Sequence, residues 1–181
     1  KVRNINGIRY VAPADGDLGG TWIATNEHGL TLALVNRYPA PRPQEPGVSR
    51  GLLLASLMDC PGIDAVSARL EHIDLGPFSP FLVATFAPSA PVKLALWDGA
   101  GLETGIDGED WMPLTSSVPD PEGVAQSRRA CLEEHRSLAG GELSLPCLRA
   151  YHASHEPAPG AYSVCMHRDD AATVSMTIVC V

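Results

Sequence analysis

No apolar run in this sequence approaches the roughly 18 residues that a membrane-spanning helix needs. The longest candidate, Gly51 to Met58, is less than half of that and reads as a core helix. Basic charge is also scarce. Thirteen Lys and Arg stand against 21 Asp and Glu, for a net charge of −8. The basic residues are scattered and Arg128-Arg129 falls in a helical pattern, so a nucleic-acid surface is not expected. The five cysteines are odd in number and form no CxxC, which argues against a disulfide frame or a zinc knuckle. GxSxG, GxGxxG, HExxH and the P-loop are all missing, so no Ser/His/Asp triad or nucleotide cradle can be assembled. The start carries no secretory signal, and a cytoplasmic location is expected.

What is present is ordinary globular material. The chain has 181 residues, 45% hydrophobic and 19% charged, enough for one domain with a sizeable core. Seventeen glycines and 16 prolines imply many turns and few long helices. Gly7 to Ala12 is a short strand candidate. In GTWIATNEHGLTLALVNRY, two apolar runs flank the turn Asn26-Glu27-His28-Gly29, a hairpin too continuously apolar for a half-wet sheet. PAPRPQEPG (Pro39 to Gly47) has four prolines and reads as a loop. Ser49 is placed to cap a helix through Gly51 to Asp59. A second helix over Asp64 to Ile73 follows from Val66, Leu70 and Ile73.

Phe81 to Phe86 and Val92 to Trp97 read as strands, with weaker signals over Leu102 to Ile106 and Met112 to Thr115. Helices are expected over Pro121 to Leu138, with proline in the first turn, and over Leu145 to His155. A closing hairpin is expected over Tyr162 to His167 and Thr173 to Val181. Strand groups thus alternate with helix pairs, without strict βαβ order. The expected class is α+β with largely antiparallel sheets, in a single domain over 1–181. The opening KVRNINGIRYV starts as though within an element and VSMTIVCV ends without a cap, so a fragment or trimmed chain is expected.

Several residues could carry chemistry. Asn36, where a buried strand ends, could donate its amide to a developing oxyanion, or could bond its own backbone as a strand terminator. Arg50 near a helix N-terminus opposes the helix dipole, so it either faces a carboxylate or substrate anion, or is simply exposed. Ser116, within Thr115-Ser116-Ser117, either caps a helix or lines a cleft. His152, His155, Cys165 and His167 offer four borderline or soft ligands within sixteen residues. Cys165 and His167 would share one face of a strand. Metal ligation, a polar cleft and plain structural roles all remain open for them.

The strings GGTWIATNEHGLTLALVNRYP, SRG, LTSSVPDPEGVAQSRRACLEE and YHASHEPAPGAYSVCMHRDDAATVS, in that order, resemble the NRDE family, the bacterial branch related to the transport and Golgi organisation protein. That family is similar to N-terminal-nucleophile (Ntn) hydrolases near the bile-salt hydrolase and penicillin V acylase group. The resemblance implies an αββα four-layer sandwich and cleavage of non-peptide amide (acyl) C–N bonds. It places Asn36 in the oxyanion hole. It gives Trp22, Arg37, Arg50, Ser116 and His167 to the substrate side, Ser116 standing near where relatives keep a helper asparagine.

The chain departs from the family at its start. Residue 1 is Lys rather than the nucleophilic Cys, and no Asn-Arg-Asp-Glu string occurs. Leading residues, with the first strands, are therefore expected to be missing from it. The alternative is a non-catalytic carrier of haem, lipid or another small molecule on the same scaffold. His152, His155, Cys165 and His167 would then be haem or metal contacts. A structural remnant without a ligand is a third reading. The resemblance requires no cofactor. The expected partner is a small-molecule acyl substrate or ligand, with a homodimer left open.

Overall fold

The computed structural model describes residues 1–16, 18–38, 47–117 and 120–180. The chain divides into two compact units, one built on Lys1–Trp111 and the other on Met112–Ile178.

The first unit is a seven-stranded sheet in which every strand pairs with its sequence neighbour, all antiparallel. The strands are β1 (Val2–Ile5), β2 (Ile8–Val11), β3 (Ile23–Asn26), β4 (Thr31–Asn36), β5 (Phe81–Phe86), β6 (Lys93–Trp97) and β7 (Leu102–Asp107). Two helices, α1 (Arg50–Ser56) and α2 (Ile63–His72), are inserted between β4 and β5. α1 lies against β3 and β4, and α2 against β5 and β7.

The opening segment is a hairpin rather than a lone strand. Ile5 pairs with Ile8, and Asn6 and Gly7 between them both take positive φ, 48° and 88°. An Asn-Gly turn of this kind matches the twist of the strands it joins.

The core fills the space between sheet and helices. Alternate sheet residues Ala24, Leu32, Phe81, Val83, Ala95 and Trp97 meet Leu53, Leu54, Leu57 and Met58 around α1 and Val66 and Leu70 of α2. Val66 and Leu70 are four apart and therefore on one helical face. Leu82 and Ala84, between the core-facing positions of β5, are buried as well. Burial on both faces explains why that strand reads as a continuous apolar run.

Asn26 locks the β3–β4 turn to the end of α1. Its amide nitrogen donates to the carbonyls of Met58 at 3.1 Å and Cys60 at 2.8 Å. Its Oδ1 accepts from the backbone N–H groups of His28 at 3.0 Å and Leu30 at 3.1 Å. The side chain is buried with its polar capacity filled.

The second unit holds α3 (Pro121–Leu138) packed on α4 (Leu145–Ala153). Val124 and Cys131 of α3 and Cys147 and Tyr151 of α4 are the buried positions. Asp120 caps α3, accepting from the Gly123 N–H at 3.0 Å, and Ser144 accepts from Cys147 N–H at the start of α4.

Three expectations are corrected. Ser49 precedes α1 but makes no side-chain capping bond. Met112 to Thr115 is not a strand, and α3 begins after Asp120 instead. The closing hairpin is reduced, among the described residues, to one bridge between His167 and Ala172. The Arg168-Asp169-Asp170 turn is there, with Arg168 ion-paired to Asp170 at 3.0 Å. Beyond it, Val174 (93% exposed), Met176 and Ile178 are exposed, so no apolar face is buried to hold a second strand. Most of the proline loop, residues 39–46, lies outside the described residues. All five cysteines are free thiols, as their spacing suggested.

Candidate functional site

β4 is the middle strand of the seven, and its last residue is Asn36, paired across the ladder with Phe81. The ladder continues one step further. The Arg37 N–H donates to the Pro80 carbonyl at 3.2 Å. The same carbonyl accepts from Arg50 Nη1 at 3.0 Å. Arg50 is the first residue of α1, so a helix start and a strand end meet at one backbone oxygen.

That meeting depends on two glycines. A Cβ on Gly20 would lie 2.6 Å from the backbone carbon of Gly51, and one on Gly51 would lie 2.9 Å from the Thr21 nitrogen. The close approach lets the Thr21 N–H donate to Gly51 O at 3.1 Å. It fixes α1, and so Arg50, beside β3. Trp22 is next along, its carbonyl accepting from Leu34 N–H of β4 at 2.8 Å.

The structure thus brings Trp22, Asn36, Arg37 and Arg50 to one end of the β3–β4–β5 region. Asn36 is half-buried, and its Nδ2 is 3.4 Å from the Tyr38 hydroxyl, a long hydrogen bond. The Trp22 and Tyr38 side chains are each 43% exposed. Among the described residues, Arg50 is held on the Pro80 carbonyl rather than on a carboxylate.

Asp98, absent from the sequence-derived set, belongs to this end as well. It sits in the turn after β6, and its carboxyl is held below the usual range chiefly by the backbone N–H groups of Gly101 and Ala100. The Arg37 charge adds a smaller contribution. The cluster can therefore present an amide donor and two guanidinium groups, with the Asp98 carboxylate in the next turn. Such a set suits an acyl carboxylate or a developing oxyanion.

Ser116 and His167 belong to the other unit. Ser116 is exposed in the segment before α3. His167 joins His155 and Cys165, with one ligating atom from each lying within 4.8 Å of the others. His152 stays out of that group; its ring meets Tyr151 edge-on at 5.0 Å. The i, i+2 spacing of Cys165 and His167 was visible in the sequence. The approach of His155 was not, because it depends on the chain folding back after α4.

Comparison with solved structures finds matches, a penicillin V acylase among them. The chain is similar to the penicillin V acylase of Agrobacterium tumefaciens, at 19% identity and a TM-score of 0.43, over 77% of this chain and 43% of that one. The chain thus spans less than half the length of that enzyme, and a likeness this low assigns no residue a role. No family model matches the chain, and no curated protein matches it significantly. The NRDE resemblance therefore rests on the quoted motifs. Among the described residues, no helix is long and apolar enough to cross a membrane.

Proposed function

We propose that this chain belongs to an Ntn-type hydrolase that cleaves non-peptide amide bonds, with the end of β4 forming the oxyanion side of the site. The observation that carries the reading is that Asn36 and Arg37 close the central strand beside the Pro80 carbonyl, which accepts from the Arg37 backbone N–H and from Arg50 Nη1. A carboxamide on a fixed strand needs little reorganisation when charge develops, which is what makes such a donor effective. The order of the family-like motifs supports the same reading, which entails an αββα sandwich and a single domain over 1–181.

In this mechanism a cysteine ahead of Lys1 supplies the nucleophile, and the terminal amine of that cysteine takes the thiol proton. The sulfur adds to the acyl carbon, and the carbonyl oxygen gains the negative charge that Asn36 stabilises. Collapse expels the amine, which leaves with the proton held on the terminal nitrogen. Water then hydrolyses the thioester. Trp22 covers the acyl group, and Arg37 or Arg50 orients a substrate carboxylate.

The experiment is an assay of the protein translated from its gene's own start against a panel of chromogenic acyl anilides. Turnover is expected, with kcat about 10²–10³-fold lower in Asn36→Ala and KM little changed. No turnover of any substrate, together with no acyl adduct on the leading cysteine by mass spectrometry, would overturn the proposal.

A further inference from the structure

The segment after α4 carries a second constellation that the proposed mechanism does not use. Cys165 Sγ lies 3.8 Å from His167 Nε2, and the His155 and His167 rings stack with centroids 5.1 Å apart. Tetrahedral zinc with one thiolate and two imidazole ligands sets sulfur–nitrogen separations of about 3.6 Å and nitrogen–nitrogen separations of about 3.3 Å. The Cys165–His167 pair already meets that spacing closely. His155 needs only a side-chain rotation, since the whole set lies within 4.8 Å.

The backbone fixes this arrangement. The Cys165 N–H donates to the Ser154 carbonyl at 2.9 Å, tying Cys165 to the residue before His155. The buried hydroxyl of Ser163 lies within hydrogen-bonding distance of the carbonyl oxygens of Cys165, at 2.8 Å, and Gly160, at 3.0 Å, between which its one proton is shared. The His167 N–H also donates to Gly160 O, and its bridge to Ala172 closes the far side. The donors thus come from two chain segments locked to each other before any ligand arrives.

From this geometry we infer that His155, Cys165 and His167 form a three-ligand site for a zinc-class ion, with the fourth position left to water or an incoming ligand. The donor set offers no oxygen, which disfavours magnesium and calcium. Cys165 is half-buried while both histidines are exposed. The thiolate is therefore partly shielded and the imidazole side stays open. Cys60, Cys131 and Cys147 are buried, and Cys180 is outside the group.

The test uses the reduced full chain with cobalt(II) as probe and zinc as competitor. One cobalt per chain is expected, with a thiolate-to-metal charge-transfer band and the visible bands of tetrahedral coordination, both removed by zinc. Cys165→Ser should abolish the charge-transfer band. His155→Ala and His167→Ala should each weaken binding at least about 100-fold, since loss of a group that only orients a ligand already costs about 10–100-fold. His152→Ala and Cys180→Ser should bind as the parent does. On the unaltered chain, zinc should shield Cys165 but not Cys180 from alkylation, which answers the question even where a variant fails to fold. Absence of the charge-transfer band in the parent at saturating cobalt would overturn the site, as would its persistence in Cys165→Ser or equal alkylation of Cys165 with and without zinc. None of these readings requires a leading cysteine, so they stand or fall apart from the hydrolase proposal.

Discussion

Replacing Asn26 tests how the first unit is held together. Its side chain makes four hydrogen bonds, two donated and two accepted, at 3% exposure. Asn26→Ala strips partners from the Met58 and Cys60 carbonyls and from the His28 and Leu30 N–H groups. His28 is exposed, so water can replace the partner of its N–H. That leaves three buried groups at roughly 1–3 kcal/mol each, for a combined loss of about 3–5 kcal/mol once non-additivity is allowed for. The loss is a large share of the ~5–15 kcal/mol that a domain of this kind has.

Asn26→Asp is the sharper probe. It keeps both acceptor contacts but turns the amide nitrogen into an oxygen facing two carbonyls. The folded state then favours the protonated acid, so the folded pKa of the new carboxyl rises above its unfolded value near ~3.9. A group shifted in that direction loses stability as pH rises from the unfolded toward the folded pKa, about 1.4 kcal/mol for each unit between them. Urea unfolding of parent and variant at pH 4 and pH 7 reads this directly. The Asn26→Asp deficit should be small at pH 4 and grow toward pH 7, while the Asn26→Ala deficit stays constant. An Ala deficit below about 1 kcal/mol, or an Asp deficit flat with pH, would refute the reasoning.

Gly20→Ala should destabilise by about 1–3 kcal/mol in the same urea assay, because the nearest atoms its Cβ would meet are backbone atoms of Gly51 and Leu52, at 2.6 to 2.9 Å, which cannot yield like a side-chain tip. An unchanged midpoint would show that α1 can slide away at no cost. Burial pushes the Tyr151 phenol up to about 12, against a partly offsetting Arg128 charge. The stability tied to its neutral form is thus present below pH ~10 and lost as pH climbs toward 12. Ultraviolet titration should show a latest step that vanishes in Tyr151→Phe, while the Tyr162 phenol, raised by its bond to Asp120, still titrates in that variant, and the variant should unfold less steeply with alkali than the parent.

The sequence by itself determined most of the local structure. Apolar runs bounded by turn residues, helix-start signals and the helical spacing of Val66, Leu70 and Ile73 located β3 to β7 and all four helices, because such signals are short-range properties of the chain. It also singled out Asn36 and Arg50 as polar residues at element ends, and Cys165 and His167 as neighbours on one face. The Asn6-Gly7 turn was a legible signal of an opening hairpin that composition alone obscured. The closing hairpin failed for the opposite reason. Its alternation is real, but residues 174, 176 and 178 are exposed, and a strand without a face to bury has no reason to pair.

Only the tertiary structure decided which of these residues meet. The Pro80 carbonyl gathers Arg37 and Arg50 across 43 positions of sequence, from Arg37 to Pro80. Asp98 reaches the same end through the β6–β7 turn, and His155 reaches Cys165 through one backbone bond from Cys165 to Ser154. Such contacts depend on how closely two backbones can approach, as at Gly20 and Gly51. That distance is set by packing the whole sheet against its helices, and no window of the sequence contains it.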